Sequence, residues 1–304
     1  MTRPTWPAEA ALGLLLDRAF GEPPASLHPV AWFGRAMTLA ERVGYRDSRA
    51  AGARHAILGV LLGAGAGACL GSATLGTGLA VAGRCLGESA LTVGRALDCG
   101  DLDAARAALP ALVGRDPAGM DENEMARAVV ESVAENSSDA VVAPLLWGAL
   151  GGIPGLLGYR AVNTLDAMVG HRNARYERYG WASARLDDVL NLPAARLAGL
   201  LTLAAAPSRA RAAWRVWRRD AGAHPSPNAG VVEAAFAGAL GIRLGGTNVY
   251  DGNRVEHRAI MDGGRLPEPS DIPRATALAR RVGHGAVVGT AAIAATRSFI
   301  QSSS

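Results

Sequence analysis

Apolar and polar positions fall into long blocks along this chain rather than alternating residue by residue. Ala56–Gly83 (AILGVLLGAGAGACLGSATLGTGLAVAG) carries no charge for 28 residues, and about 20 apolar residues suffice for a helix to cross a bilayer. Within it Gly59, Gly63, Gly67 and Gly71 recur every four residues. Such a ladder makes a flat helix face on which a second helix packs closely, whereas the same glycines would be costly in a water-exposed helix. The block predicts a transmembrane helix. Ala140–Tyr159 is also uncharged, but Pro144, Pro154 and Gly151-Gly152 interrupt it; it either spans or dips in and turns back. Leu197–Ser208 and Gly285–Thr296 are shorter apolar runs, cores of further membrane helices or of buried soluble ones.

The stretches between these blocks read as helix. DENEMARAVVESVAEN starts with Asp121 and, three residues on, Glu124, the signature of a capping box. An additional helix around Arg84–Leu97, or a non-spanning Ala140–Tyr159, would change the count of spans and hence the side on which the acidic helix lies. Gly241–Gly252 reads as a turn-rich loop, and Pro267, Pro269 and Pro273 punctuate a polar stretch before the last helix. The apolar run Ala10–Leu16 is short, ends at Asp17 and has no clean small-residue cleavage site, so it does not read as a signal peptide. Arg42, Arg46, Arg49 and Arg54 crowd one flank of the first span and place that flank on the cytoplasmic side. The expectation is an all-α, multi-pass helical membrane protein, residues 1–304 forming a single domain, with polar helical and loop segments that build a carboxylate-lined site.

Composition sharpens this picture at three points. No residue of the 304 is lysine, so all 31 basic residues are arginine. A lysine Schiff base and a P-loop are thereby excluded, and phosphate binding falls to arginine, backbone N–H groups, helix N-termini or a metal ion. Cys69, Cys85 and Cys99 are odd in number and form no CxxC, which reads as ordinary buried thiols rather than a disulfide frame or zinc site. The net charge of +4 and pI near 9.3 suit a neighbour of anionic lipid or phosphorylated ligands, and no nucleic-acid motif is present.

The candidate chemistry lies in four polar clusters. Glu131, Glu135 and Asp139 follow one another at four-residue spacing, which places them on one helix face. Asn163 and Asp166 stand three apart. Arg185, Asp187, Asp188, Asn191 and Arg196 form a third group, with Asp187 and Asn191 on one face. Asp220, His224, Ser226, Asn228 and Glu233 form a fourth. Oxygen ligands of this kind suit Mg²⁺ and not zinc, and ionisable groups in a membrane chain face a polar cavity. Hydrolase, metalloprotease, Rossmann and kinase motifs are absent.

The order of these clusters resembles the adenosylcobinamide-phosphate synthase family of cobalamin biosynthesis, the CobD/CbiB family. The matching stretches are DRAFGEPPASLHPVAWFGR, VGRD at Val113–Asp116, AVVESVAENSSDAVVAPL, YRAVNTLDAMVGHRNARYERYGWASARLDDVLNLPAAR and RDAGAHPSPNAGVVEAAFAGALGIRLGGTNVYDG. They run in order from Asp17 to about Gly252. One departure is Gly21-Glu22-Pro23, where the family has Gly-Asp-Pro. The resemblance implies a multi-pass enzyme of the cell membrane that joins adenosylcobyric acid to (R)-1-amino-2-propanol phosphate, or to the free amino alcohol, by an amide bond. ATP is the implied co-substrate and Mg²⁺ the implied ion, with no tightly bound cofactor and no nucleic acid. The implied protein partner is a second copy or another enzyme of the pathway. On this reading Glu131, Glu135, Asp139, Asp166, Asp187 and Asp188 serve the metal or deprotonate the incoming ammonium. Glu131, Glu135, Asp166 and Asp187 are the expected Mg²⁺ ligands. Arg115, Arg185 and Arg196 hold phosphates, and Asn163, His224, Asn228 and Tyr250 orient the substrate. A transporter and a non-catalytic scaffold for late corrinoid-pathway enzymes are the alternatives from other classes.

Overall fold

The structure, a computed structural model, describes residues 6–21, 26–171, 173–250 and 254–302. Glu22 of the first motif lies outside them. The chain folds into two compact units. One comprises Met1–Ala82, Asp139–Leu192 and Ala286–Ser304; the other comprises Gly83–Ser138 and Pro193–Gly285.

The protein is an all-α membrane protein with a single added β-hairpin among the described residues. Three helical stretches are long and apolar enough to cross a bilayer: Arg49–Cys69, Glu122–Val169 and Trp181–Ala205. In chain order the first unit contains α1 (Trp6–Phe20), α2 (Pro29–Gly44), α3 (Arg49–Cys69) and α4 (Ala73–Ala80). The expected single span Ala56–Gly83 is therefore shorter. It starts earlier, where the Ser48 hydroxyl accepts from the Ala51 amide, and it stops at Cys69 before the separate α4. Leu70, the C-cap, is extended.

The glycine ladder works as the sequence implied, over three of its rungs. In α3, Gly59, Gly63 and Gly67 are buried. They lie against Leu165, Leu157 and Ala161, and Ile153 and Pro154 of α8 (Ala143–Val169). A methyl group at Gly67 would stand 2.6 Å from the Ile153 carbonyl oxygen. Gly71 is past the helix end and meets nothing. The opposite face of α3 exposes Ile57, Leu58, Leu61 and Leu62. Small residues inward and large apolar ones outward is the arrangement expected where the surrounding solvent is lipid.

The Ala140–Tyr159 segment turns back. The helix is broken at Gly152, whose φ of 65° and ψ of −157° are open to glycine. Eight residues of continuous helix would separate Trp147 from Gly155 by about 12 Å. Instead Gly155 sits directly against the Trp147 carbonyl, and Gly148 abuts Leu156. Segment α8 is thus a helical hairpin, and Glu122–Val169 is no straight rod.

The second unit contains α5 (Gly83–Asp98), a helix where the sequence left one open around Arg84–Leu97, then α6 (Leu102–Ala108) and α7 (Glu122–Ser137). Both bonds of the Asp121–Glu124 capping box form, at 2.8 and 3.0 Å. A π-turn, Ser138–Val142, follows α7. Helix α9 (Trp181–Ala205) contains Leu197–Ser208 up to Ala205, and the unit continues with α10 (Ala210–Asp220) and α11 (Ala229–Leu240). The expected loop at Gly241–Gly252 is instead strand β1 (Arg243–Tyr250), paired antiparallel with β2 (Arg254–Asp262). Gly245 and Gly246 lie at a bulge in the strand pairing, Gly241 caps α11 in the left-handed region, and Gly252 lies outside the described residues. The last helix, α12 (Asp271–Ser302), includes Gly285–Thr296.

The three cysteines correct a sequence expectation: they read as buried, and all are exposed. Cys69 closes α3, Cys85 lies in the first turn of α5 and Cys99 follows its end. Helix termini project past the packed surfaces that would bury a small thiol.

Candidate functional site

In the second unit the carboxylate cluster is built on α7. Glu131 is 1% exposed. Its Oε2 accepts from the Arg115 guanidinium, its Oε1 accepts from the Gly245 amide at 2.7 Å, and Arg127 Nη1 stands 3.5 Å away. Arg127, one turn before Glu131, donates to the Gly245 carbonyl at 2.6 Å and to the Thr247 carbonyl at 3.0 Å. Two side chains of one helix thus hold the N–H and C=O of one residue of β1. That residue must be glycine: its φ is +84°, and a β-carbon would collide with the Ala259 carbonyl. Glu135, a turn further on, is partly exposed.

Glu233 of α11 joins this cluster. It is fully buried, 3.6 Å from Arg258 Nη1 and 3.9 Å from His224 Nε2, and neither carboxylate oxygen has a hydrogen-bond partner. Burial first, then repulsion from Glu131 and Glu135, raises its pKa well above the ordinary carboxylate range, with Arg258 opposing. Burial lowers the His224 pKa. Both shifts disfavour the charged forms: burial favours the protonated acid at Glu233 and the neutral imidazole at His224. The loop that carries His224 is well held: the Ser226 amide donates to His224 Nδ1 at 3.0 Å, and Ser226 Oγ accepts from the Asn228 and Ala229 amides at the start of α11. Arg196 Nη1 donates to the Pro227 carbonyl and to Asn228 Oδ1, both at 3.0 Å. Gly230 admits this turn, since a β-carbon there would lie 2.5 Å from that of His224.

In the first unit a second network centres on Asp187 of α9. Asn163 Nδ2 donates to its Oδ1 at 3.3 Å and Asn191 Nδ2 to its Oδ2 at 2.9 Å. The i, i+4 pairing of Asp187 and Asn191 is thus an actual bond. Asn191 Oδ1 in turn accepts from the Tyr159 hydroxyl at 2.8 Å, which also lies 3.2 Å from the Asp139 carbonyl. Arg160 Nη1 reaches Asn163 Oδ1 at 3.4 Å. Asp166 is within electrostatic range of Asp187. Asp188 faces Arg185 at 3.9 Å in a solvent-exposed pair.

The structure therefore brings Glu131, Glu135, Arg115, His224, Arg196 and Asn228 into one unit, and Asp139, Asn163, Asp166, Asp187, Asp188 and Arg185 into the other. Tyr250 ends β1, and its side chain lies outside the described residues. Sequence reasoning missed Arg127, Arg258, Tyr159 and Arg160 as members. Tyr159 and Asn163 stand at i, i+4, a helical signal within reach of the sequence. Arg258 comes from β2, in a segment whose partner strand read as loop.

The donor sets differ in their fit to Mg²⁺, which takes one or two carboxylates and keeps waters or phosphate oxygens. Glu131 does not fit, because the Arg115 and Arg127 guanidinium groups already neutralise its charge and would repel a cation. Asp187 with Asp166 fits: Asn163 and Asn191 orient the Asp187 oxygens as outer-sphere donors do. No group of three or more His, Cys, Asp or Glu is arranged for a metal among the described residues.

Comparison with known proteins places the chain as follows. The CobD/Cbib protein family matches residues 10–279. A protein named "Cobalamin biosynthesis protein CobD" from Mycobacterium tuberculosis (strain CDC 1551 / Oshkosh) is 47% identical over 302 residues, covering 93% of this chain and 95% of that protein. One of the same name from Geobacter metallireducens is 48% identical over 269 residues, 82% of this chain and 84% of that protein. One from Rhodobacter capsulatus is 52% identical over 204 residues, 66% of this chain and 64% of that protein. No solved structure matches.

Proposed function

Because this chain belongs to the CobD/CbiB family, we propose that it makes adenosylcobinamide phosphate, or adenosylcobinamide from the free amino alcohol, as a multi-pass enzyme of the cell membrane. The reaction joins the carboxyl of adenosylcobyric acid to the amine of (R)-1-amino-2-propanol phosphate or of the free amino alcohol. The observation that carries this reading is the family match over residues 10–279, within which both carboxylate networks fall. A carboxylate does not acylate an amine at neutral pH without activation. ATP supplies it: a carboxylate oxygen of the acid takes the γ-phosphoryl group and ADP leaves. The amine nitrogen then attacks the acyl carbon, phosphate leaves, and the ammonium proton passes to a base.

Asp166 and Asp187 would hold Mg²⁺, which when bound neutralises phosphate charge. Asn163 and Asn191 keep the Asp187 carboxylate aimed, and Tyr159 fixes Asn191. Glu131 is a positioning residue that docks β1, with Arg115 as its counter-ion. Glu135 is the partly open carboxylate of that cluster and suits the incoming ammonium, while His224, Asn228 and Tyr250 orient substrate. Arg196 acts through the turn it holds. A second copy or another pathway enzyme is the proposed protein partner.

The test uses purified protein in detergent with adenosylcobyric acid, aminopropanol phosphate, Mg²⁺ and ATP, read by mass spectrometry. A species at the amide mass that requires ATP is the expected result. Intact substrates beside folded protein would overturn the reading.

A further inference from the structure

Within the first unit, α2 and the second arm of the α8 hairpin border an open cleft of about 780 Å³, within the size range of small-molecule sites. Its walls are two helical stripes. His28, Arg35, Thr38 and Arg42 rise along α2 at helical spacing, and Arg160 and Thr164 follow one turn apart on α8. Among the described residues no Asp or Glu lines it. Among the described residues, neither Arg35 nor Arg42 has an ion-pair partner, and the buried Nε of Arg160 has no hydrogen-bond partner. Three arginines thus line one concavity with no carboxylate among the described residues beside them, an arrangement that an entering anion would stabilise. A smaller apolar cavity of about 110 Å³ opens beside it and shares Val30, Arg160 and Thr164.

We propose that this cleft binds a phosphate-bearing ligand, gripped by Arg35, Arg42 and Arg160 with an apolar portion in the adjoining cavity. The ligand is either a soluble phosphate compound of nucleotide size or the headgroup of an anionic lipid. The inference stands on the cleft alone and does not rest on the amide-forming reading. Arg35 and Arg42 are exposed, so their replacement leaves packing intact.

The experiment measures binding without turnover. Full-length protein in phosphatidylcholine nanodiscs is titrated calorimetrically with ATP and with inorganic tripolyphosphate. In parallel, retention of phosphatidylglycerol through purification is read by mass spectrometry. The variants are Arg35→Gln, Arg42→Gln and their double; Arg178→Gln, a solvent-exposed arginine paired with Asp47, controls for net charge. Loss of roughly tenfold in affinity per cleft arginine, with Arg178→Gln unchanged, upholds the proposal with a soluble ligand. No affinity for either soluble probe, but phosphatidylglycerol kept by the native protein and lost by the double variant, upholds it with a lipid. Equal behaviour of native and double variant towards all three probes overturns it, whatever the turnover assay gives.

Discussion

Replacing Glu131 by Gln tests the claim that this acid docks the hairpin as an ion rather than as a hydrogen-bond acceptor. Gln keeps an oxygen for the Gly245 amide, now 2.7 Å from Oε1, but removes the charge facing Arg115, whose side chain is only 5% exposed. Removing one partner of a buried pair costs about 3–5 kcal/mol, because the other charge is left buried. At roughly 2–4 °C per kcal/mol for domains of 150–250 residues, that is a drop of about 6–20 °C in the thermal midpoint. Arg115→Met should cost a similar amount. The double variant leaves neither charge stranded, so its loss should be clearly smaller than the sum, with coupling of up to about 3 kcal/mol. The assay is tryptophan fluorescence against temperature in detergent for the four proteins of the cycle. Single losses that simply add, or a Glu131→Gln midpoint within about 2 °C of native, would refute the ion-pair argument.

Glu135→Ala and Asp166→Ala should each abolish the amide product while leaving the protein folded and membrane-inserted; normal turnover in both would sink their assignment. Gly67→Ala drives a methyl group to 2.6 Å from the Ile153 carbonyl and 2.7 Å from the Pro154 Cα, and should lower the midpoint. Gly65→Ala on the open face of the same helix should leave it unchanged or raise it through about 1 kcal/mol of helix propensity. The His224–Glu233 pair predicts opposite pH slopes. The buried His224 has its pKa lowered from 6.5, so the unfolded chain binds the proton first and stability falls as pH drops below 6.5; His224→Gln removes that loss. Glu233 has its pKa raised from 4.5, so the native state holds the proton longer and stability falls as pH rises above 4.5 towards the raised value; Glu233→Gln flattens that arm. Midpoints measured across pH in both variants check the signs.

Legibility in the sequence followed the range of the interaction. The capping box at Asp121 and Glu124, the Asp187–Asn191 pair and the successive rungs of the glycine ladder are each spaced about one helical turn apart, and each formed as the spacing implied, save the last rung at Gly71. Gly241–Gly252 read as a loop because its glycines carry no alternation; Gly245 and Gly246 lie instead in a bulged strand whose geometry only the opposite strand defines. The thiols read as buried from residue type, whereas their burial depended on where the helices ended.

Taken alone, the sequence determined a helical membrane chain, the place of its apolar blocks, and the ordered motifs that mark its family. These are properties of neighbouring residues: a face repeats every 3.6 positions, and an uncharged block is apolar wherever it goes. Tertiary structure decided the rest. The turn at Gly152 required a backbone conformation that the Pro- and Gly-rich block permits but does not dictate. Glu131 meets a backbone amide 114 residues away, which converts an apparent metal ligand into a structural anchor. Arg35 and Arg160 become neighbours across one cleft only once α2 lies along α8. Such pairings depend on which faces pack together, and no local period encodes that choice.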